Sequence, residues 1–270
     1  MERIDKIALI AGSGNFPLFL AKAAKTNGVG VTAICINSET DERIEKVVDK
    51  SYWVNLGEGK KLLSIFKDEN IKHAVMAGKI SKMTIIREGL RLDGEAKKVI
   101  SNIMDRRDDT MLSAVANRLK EAGVELLDST TFVSGMMPKE GVLTKRRPSR
   151  EESEDIKFGF KMAKEMGRLD IGQSVVVKKK AVIAVEAIEG TDNTIKRAGE
   201  LAGEGTVVVK VSKPNQDMRF DVPVVGPTTI KSLEEARSSV LAIEAGKVLL
   251  LEAEEVIREA DSAGISVIAV

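Results

Sequence analysis

The sequence predicts an α/β protein of two domains, an N-terminal Rossmann-like parallel sheet and a C-terminal mixed αβ domain. Three observations carry that reading. Short apolar runs alternate with helical periodicity over roughly the first 130 residues, the rhythm of an open parallel sheet. A segment rich in Pro, Gly and Arg then breaks the rhythm at 134–152. A second αβ pattern follows it. The expected division is therefore 1–133, a connection at 134–152, and 153–270 as the C-terminal αβ domain.

Taken in order, Ile7-Ala8-Leu9-Ile10 reads as a buried parallel strand. Gly12-Ser13-Gly14-Asn15-Phe16-Pro17 follows, then a helix over 18–26 that Asn15 would cap and Gly28 would close. Strands are expected at 31–36, 73–76 and 124–127, with helices over 57–69 and 109–122. Beyond the break, helices are expected over 153–168, 193–202, 232–244 and 254–263. Strands are expected at 174–177, 181–187, 206–211, 248–251 and 265–270, with Lys178-Lys179-Lys180 as a hairpin turn.

Composition narrows the function. Net charge is +1 and aromatics are 3% of 270 residues, which argues against bulk electrostatic or base-stacking binding of nucleic acid. Cys35 is the single cysteine, so no intramolecular disulfide forms and a reducing, cytoplasmic compartment is expected. No apolar stretch approaches the ~20 residues of a membrane-spanning helix. His73 is the single histidine, so a zinc cluster or a Ser-His-Asp triad has little to draw on. A metal would need oxygen ligands, which points to Mg2+ or Mn2+.

The glycine pair Gly12-Ser13-Gly14 stands between strand and helix, where backbone N–H groups can face an anion. Pro17 occupies the place of a third glycine and Ile36-Asn37 lacks the ribose-binding acid, so this is no dinucleotide fingerprint. Gly57-Glu58-Gly59-Lys60-Lys61 lacks the spacing of a phosphate loop. The densest polar stretch is Lys213-Pro214-Asn215-Gln216-Asp217-Met218-Arg219-Phe220-Asp221-Val222-Pro223. It reads either as a site or as a charged surface loop. Extended backbone would turn Asp217, Arg219 and Asp221 to one side. Asp170, the Glu186–Asp192 run and the Asp217/Asp221 pair form three acid-bearing loops able to hold a divalent cation and a water. Singly, each is only a cap or a turn.

Gly-Arg-Leu-Asp-Ile-Gly-Gln at 167–173, Ala-Val-Glu-Ala-Ile-Glu-Gly-Thr-Asp at 184–192 and the stretch 213–223 together resemble the LpxI-type UDP-2,3-diacylglucosamine pyrophosphatases. The resemblance runs the length of the chain, taking in residues 10–17, Ala77-Gly78 and Asp108-Asp109, with Ser13 where a glycine is more usual. It implies hydrolysis of UDP-2,3-diacylglucosamine to UMP and lipid X in lipid A biosynthesis. It also implies a divalent cation, and two domains enclosing the lipid product. The essential aspartate of its Arg-x-Asp-x-Pro motif falls on Asp221. Candidate catalytic residues are thus Asp221, Arg219 and Lys213. Candidate substrate-binding residues are Gly12, Gly14, Gly78, Lys79, Gly172, Gln173, Gly190, Thr191, Gln216 and Thr229. Candidate metal ligands are Asp221, Asp217, Glu189 and Asp192. Expected partners are the lipid substrate, lipid X and, by peripheral contact, the inner-membrane surface; no nucleic acid is expected, and a homodimer stays open. A non-catalytic lipid or nucleotide module, or a phosphohydrolase of a related nucleotide-sugar lipid, are the competing readings.

Overall fold

The computed structural model describes residues 4–80, 92–101, 108–220 and 222–270. Its contacts divide the chain into two units, Met1–Val133 with Asp217–Asp221, and Ser134–Gln216 with Val222–Val270. The described residues form an α/β fold, a parallel sheet in the first unit and a mixed sheet in the second.

In the first unit, β1 (Lys6–Ala11), β2 (Gly30–Ile36), β3 (Lys50–Val54), β4 (His73–Ala77) and β5 (Glu125–Leu126) form a parallel sheet of order β3-β2-β1-β4-β5. Helices α1 (Phe16–Thr26), α2 (Gly59–Asp68), α3 (Gly94–Ser101) and α4 (Asp108–Glu121) belong to the same unit. The central strands are mainly apolar because both faces are covered: Ile7, Ala8, Leu9, Ala33 and Ile34 are all inaccessible to solvent. The order runs outward from β1 through β2 and β3, then the other way through β4 and β5. The topological switch point therefore lies between β1 and β4.

Two local expectations change here. The edge strand β3 was not anticipated from Lys50-Ser51-Tyr52-Trp53-Val54. It is half-exposed, and its aromatic residues carry polar heads that bond to neighbours: Tyr52 Oη donates to Glu69 and Trp53 Nε1 to Glu45, each at 2.6 Å. Asn15 occupies the N-cap position of α1 without capping it; its Oδ1 accepts from Arg43 Nη2 at 3.1 Å.

The second unit contains β6 (Gly141–Val142), α5 (Arg150–Arg168), β7 (Ser174–Lys178), β8 (Ala181–Val185), α6 (Thr191–Ala202) and β9 (Val207–Lys210). It continues with β10 (Val224–Val225), α7 (Pro227–Glu235), β11 (Val240–Ile243), β12 (Leu249–Leu250), α8 (Ala253–Ser262) and β13 (Ser266–Ala269). The sheet order is β6-β13-β11-β9-β7-β8; β9, β11 and β13 run parallel, while β6, β7 and β8 pair antiparallel. β10 and β12 form a separate parallel pair. Helix α5 covers one face, over Val175, Val177, Val207 and Val209. Residues of α6, α7 and α8 pack on the other, with Val176, Val208, Leu241 and Val267. Each fully buried aliphatic side chain contributes roughly 1.5–3 kcal/mol, so these two-sided strands hold the unit together. Gly159 lets α5 approach closely, since a Cβ there would lie 2.7 Å from Val209 Cγ2.

The hairpin turn at Lys179-Lys180 carries positive φ at both residues, 50° and 59°, without glycine. Asp155 of α5 compensates by accepting from both amides, at 2.8 and 2.6 Å. Residues 134–152 depart from the expected connection. They lie in the second unit, where β6 pairs with β13, Thr144 Oγ1 accepts from Val267 N, and Ser149 with Glu152 forms a capping box opening α5. The helix expected over 232–244 is instead two elements. Pro227 starts α7 early, Arg237 in left-handed backbone (φ 50°) follows its end, and Val240–Ile243 is buried on both sides as β11.

Glu69, just after α2, accepts from Lys6 Nζ of β1 (2.6 Å), Tyr52 Oη (2.6 Å) and Lys50 Nζ of β3 (2.9 Å). Those three donors, Lys6 foremost, hold its carboxyl at about 2 against an ordinary 4.5. A depressed carboxylate stabilises the fold above its unfolded value and loses that contribution as pH falls through the folded value. Glu69→Gln is therefore expected to lower stability above about pH 5, with the difference from wild type vanishing by about pH 2. Urea titrations at a series of pH values, followed through Trp53 fluorescence, measure this.

Candidate active site

At the switch point of the first unit, the loop after β1 and the loop after β4 are stitched to each other. Ser13 N donates to Lys79 O at 2.8 Å, Lys79 N to Ser13 O at 3.1 Å, and Ser13 Oγ to Lys79 O at 2.8 Å. Gly12 N donates to Ala77 O at 2.8 Å. The amides of Gly12 and Ser13, expected to face an anion, are thus engaged by the neighbouring loop. The glycines are what permit the approach. A Cβ on Gly12 would stand 2.5 Å from Lys79 O, and one on Gly78 would stand 2.6 Å from Ser13 O. Gly14 has φ +90° with open space about it.

Asp217 to Phe220 belong to this unit and form a turn rather than an extended segment, with Phe220 N donating to Asp217 O at 3.1 Å. The one-sided placement expected of Asp217 and Arg219 arises from that turn. Arg219 donates from Nε to Asp217 Oδ1 at 2.9 Å and from Nη2 to Oδ2 at 2.6 Å, a forked pair. Its backbone N also donates to Oδ1, at 3.1 Å. The guanidinium lies 4.8 Å from the centre of the Phe220 ring. Arg219 holds the Asp217 carboxyl below the usual range, and Asp217, with Asp128 nearby, raises Arg219 further. Asp221 lies outside the described residues.

In the second unit the polar residues gather where β9 and β11 end and β7 begins. Lys213 Nζ pairs with Asp170 at 2.6 Å, and Lys213 N donates to Gln216 Oε1 at 2.9 Å. Lys164 Nζ reaches both Glu244 oxygens and Ser212 O, while Glu244 Oε2 accepts from Ser212 N at 2.8 Å. These bonds fix the backbone entering the 213–216 turn. A Cβ on Gly172 would stand 2.1 Å from Glu186 O. Gln173 O accepts from Val211 N, and its Oε1 is buried with no partner. Gly190 precedes α6 at φ +81°. Thr191 Oγ1 accepts from the buried Lys210 Nζ at 2.9 Å and donates to Glu186 Oε1 at 2.8 Å. Thr229 Oγ1 donates to Asp192 Oδ1 at 3.2 Å.

The expected carboxylate set is not assembled among the described residues, where no group of three His, Cys, Asp or Glu is placed to hold a metal. Glu189 already accepts from Arg197 Nη2 at 2.6 Å, and a bond from its own backbone amide, then Arg197, holds its carboxyl below the usual range. Asp192 accepts from Thr229, and Asp217 is forked by Arg219. Of the residues not singled out from the sequence, Lys210 left a signal, a cation between Val207-Val208-Val209 and Val211. Lys164, Glu244 and Ser129 left none, because each acts on backbone far away in the chain.

Residues 6–136 match the family model of the LpxI N-terminal domain, and residues 139–268 that of the LpxI C-terminal domain. The chain belongs to the LpxI family. A curated relative from Caulobacter vibrioides, UDP-2,3-diacylglucosamine pyrophosphatase LpxI, is 31% identical over 276 residues, covering 98% of this chain and 97% of the relative. Among solved structures, a UDP-glucose-4-epimerase from Stenotrophomonas maltophila is 14% identical over 45% of this chain and 35% of its own, at a TM-score of 0.27. The biotin carboxylase subunit of a pyruvate carboxylase is 12% identical over 74% and 42%, at 0.28. Both scores are too low to bear on fold or function.

The stitched loops make a differential prediction. Gly14 and Gly78 share a positive φ, near +90° in both, but only Gly78 faces a backbone oxygen. Alanine in either place incurs roughly 1–3 kcal/mol of backbone strain. Gly78→Ala is expected to cost clearly more than Gly14→Ala in urea unfolding of the first unit, since it must also part the two loops.

Proposed function

We propose that this protein hydrolyses the pyrophosphate of UDP-2,3-diacylglucosamine, releasing UMP and lipid X (2,3-diacylglucosamine 1-phosphate). The observation that carries the reading is membership of the LpxI family across both domains, with a full-length relative of that named activity. The residues suit the reaction. Water adds to one phosphorus as the bridging P–O bond breaks, so charge on the phosphoryl oxygens must be neutralised and the water positioned. Arg219 and Lys213 are the cations we assign to the phosphoryl oxygens. Each is preorganised by a carboxylate, Asp217 for Arg219 and Asp170 for Lys213. Asp221 is assigned to orienting the attacking water or to meeting a divalent cation.

Magnesium or manganese, when bound, would neutralise phosphoryl charge. Magnesium is commonly held by one or two carboxylates together with substrate phosphates and water, so a prebuilt cage of carboxylates is not required. The engaged state of Glu189 and Asp192 leaves Asp221 as the carboxylate we propose for that contact. Among the described residues no helix is long and apolar enough to cross a membrane. Cytoplasmic placement, with peripheral contact at the inner-membrane surface, belongs to the same proposal because the substrate carries two acyl chains. A homodimer is compatible with it and not required.

Incubating the purified protein with UDP-2,3-diacylglucosamine and Mg2+ should release UMP and lipid X in equal amounts, and exhaustive chelation should stop the release. Retained activity after chelation would remove the cation from the proposal. Asp221→Ala is expected to lower the rate by a factor on the order of 10²–10⁴, with the fold and lipid binding kept. A rate within a few-fold of wild type would take Asp221 out of the mechanism.

A further inference from the structure

The residues flanking Asp217–Asp221 on both sides belong to the second unit, yet this segment belongs by its contacts to the first. Something must hold it there against the continuity of the chain. One attachment is apolar: Phe220 is 8% exposed and sits in the first unit's core cluster with Ala74, Leu126 and Met76. The other is Ser129, just beyond β5 and 1% exposed. Ser129 N donates to Met218 O at 2.9 Å. Ser129 Oγ lies 2.6 Å from Met76 O and 2.9 Å from Arg219 O, in position to donate to either. Met76 is the last-but-one residue of β4, immediately before the loop stitched to Gly12-Ser13. A single buried hydroxyl therefore joins the switch-point end of β4 to the backbone of Arg219 itself.

We propose that Ser129 is a positioning residue for the reaction: it fixes the backbone of Met218 and Arg219 at the C-terminal edge of the first unit's sheet. The inference rests on the pyrophosphatase reading for its catalytic consequence but not for its structural one. The physical argument concerns the order in which contacts fail. Phe220 stays in the core cluster, and the Ser129 amide still holds Met218, when the hydroxyl is removed. Without the hydroxyl, two carbonyls lose a shared donor. The turn then stays attached while its orientation loosens. Small misplacement of a group that meets the transition state lowers turnover more than it weakens ground-state binding.

The test compares full-length wild type, Ser129→Ala and Ser129→Thr. Amide hydrogen exchange, read by mass spectrometry, should accelerate at least several-fold in the peptide spanning 217–222 of the alanine variant, with peptides from β1 and β2 unchanged. Its kcat should fall about 10- to 100-fold with KM within about 3-fold. The threonine variant, which keeps the donor, should restore both. Unchanged exchange at 217–222 overturns the anchoring role. Accelerated exchange with an unchanged kcat overturns the positioning role. Should the wild type fail to hydrolyse the lipid, the exchange measurement still decides the anchor, so the two failures are distinguishable. Should Ser129→Ala unfold, Ser129→Cys, similar in size and a weaker donor, takes its place under the same criteria.

Discussion

The reciprocal backbone bonds between Ser13 and Lys79 are the constraint on which the first unit's working edge depends. In an open parallel sheet, the loops on either side of the switch point normally diverge and leave a crevice. Here Gly12 and Gly78 lack the Cβ atoms that would keep the two loops apart, and the loops close on each other as a short antiparallel bridge. That closure fixes where β4 ends. The end of β4 fixes the Met76 carbonyl, and Ser129 carries the position on to Arg219. Gly12 and Gly78 are thus linked, through Met76 and Ser129, to the backbone of a cation more than 130 residues later in the chain.

The second unit solves a different problem, how to bring charged groups to the end of a sheet with a fully apolar middle. Lys210 and Glu186 are both nearly inaccessible, and Thr191 stands between them as acceptor to one and donor to the other. Lys164 and Glu244 form a second such link, with the Ser212 backbone included. Buried charges are tolerated when each meets a partner of good geometry, and breaking such a pair costs more than the pair contributes. These networks are best understood as holding backbone in place. The Asp217–Arg219 fork, about a third exposed, belongs to the same logic. A pair so exposed contributes only about 0–1 kcal/mol to stability, so its value lies in orienting a guanidinium.

Several carboxylates that look like metal ligands in the sequence prove to be occupied by protein donors. Glu189 faces Arg197, Asp192 faces Thr229, and Asp217 is forked by Arg219. An acid at the end of an element has orphan backbone amides and neighbouring cations within reach, and those partners are always present. This is why acidic loops overstate a metal site when read as text, and why the cation proposed here depends on Asp221 and the substrate.

The sequence by itself determined the alternation of strands and helices, the apolar centres of β1, β2, β7 and β9, and the family, because each depends on short windows of residue type. It also located the 213–223 stretch, since two prolines and four charged residues stand out against apolar strands on either side. Where the helix over 232–244 was expected, local periodicity was overridden by burial of Val240–Ile243 on both faces, which only the sheet imposes. Residues 134–152 looked like a linker because Pro, Gly and Arg lack periodicity, yet long-range pairing with β13 orders them. The tertiary structure alone decided that Asp217–Asp221 is carried by the first unit, and that Ser129 and Phe220 hold it there. Contacts spanning some 90 residues leave no local trace, because a buried serine or phenylalanine reads the same whether it fills a core or anchors a site.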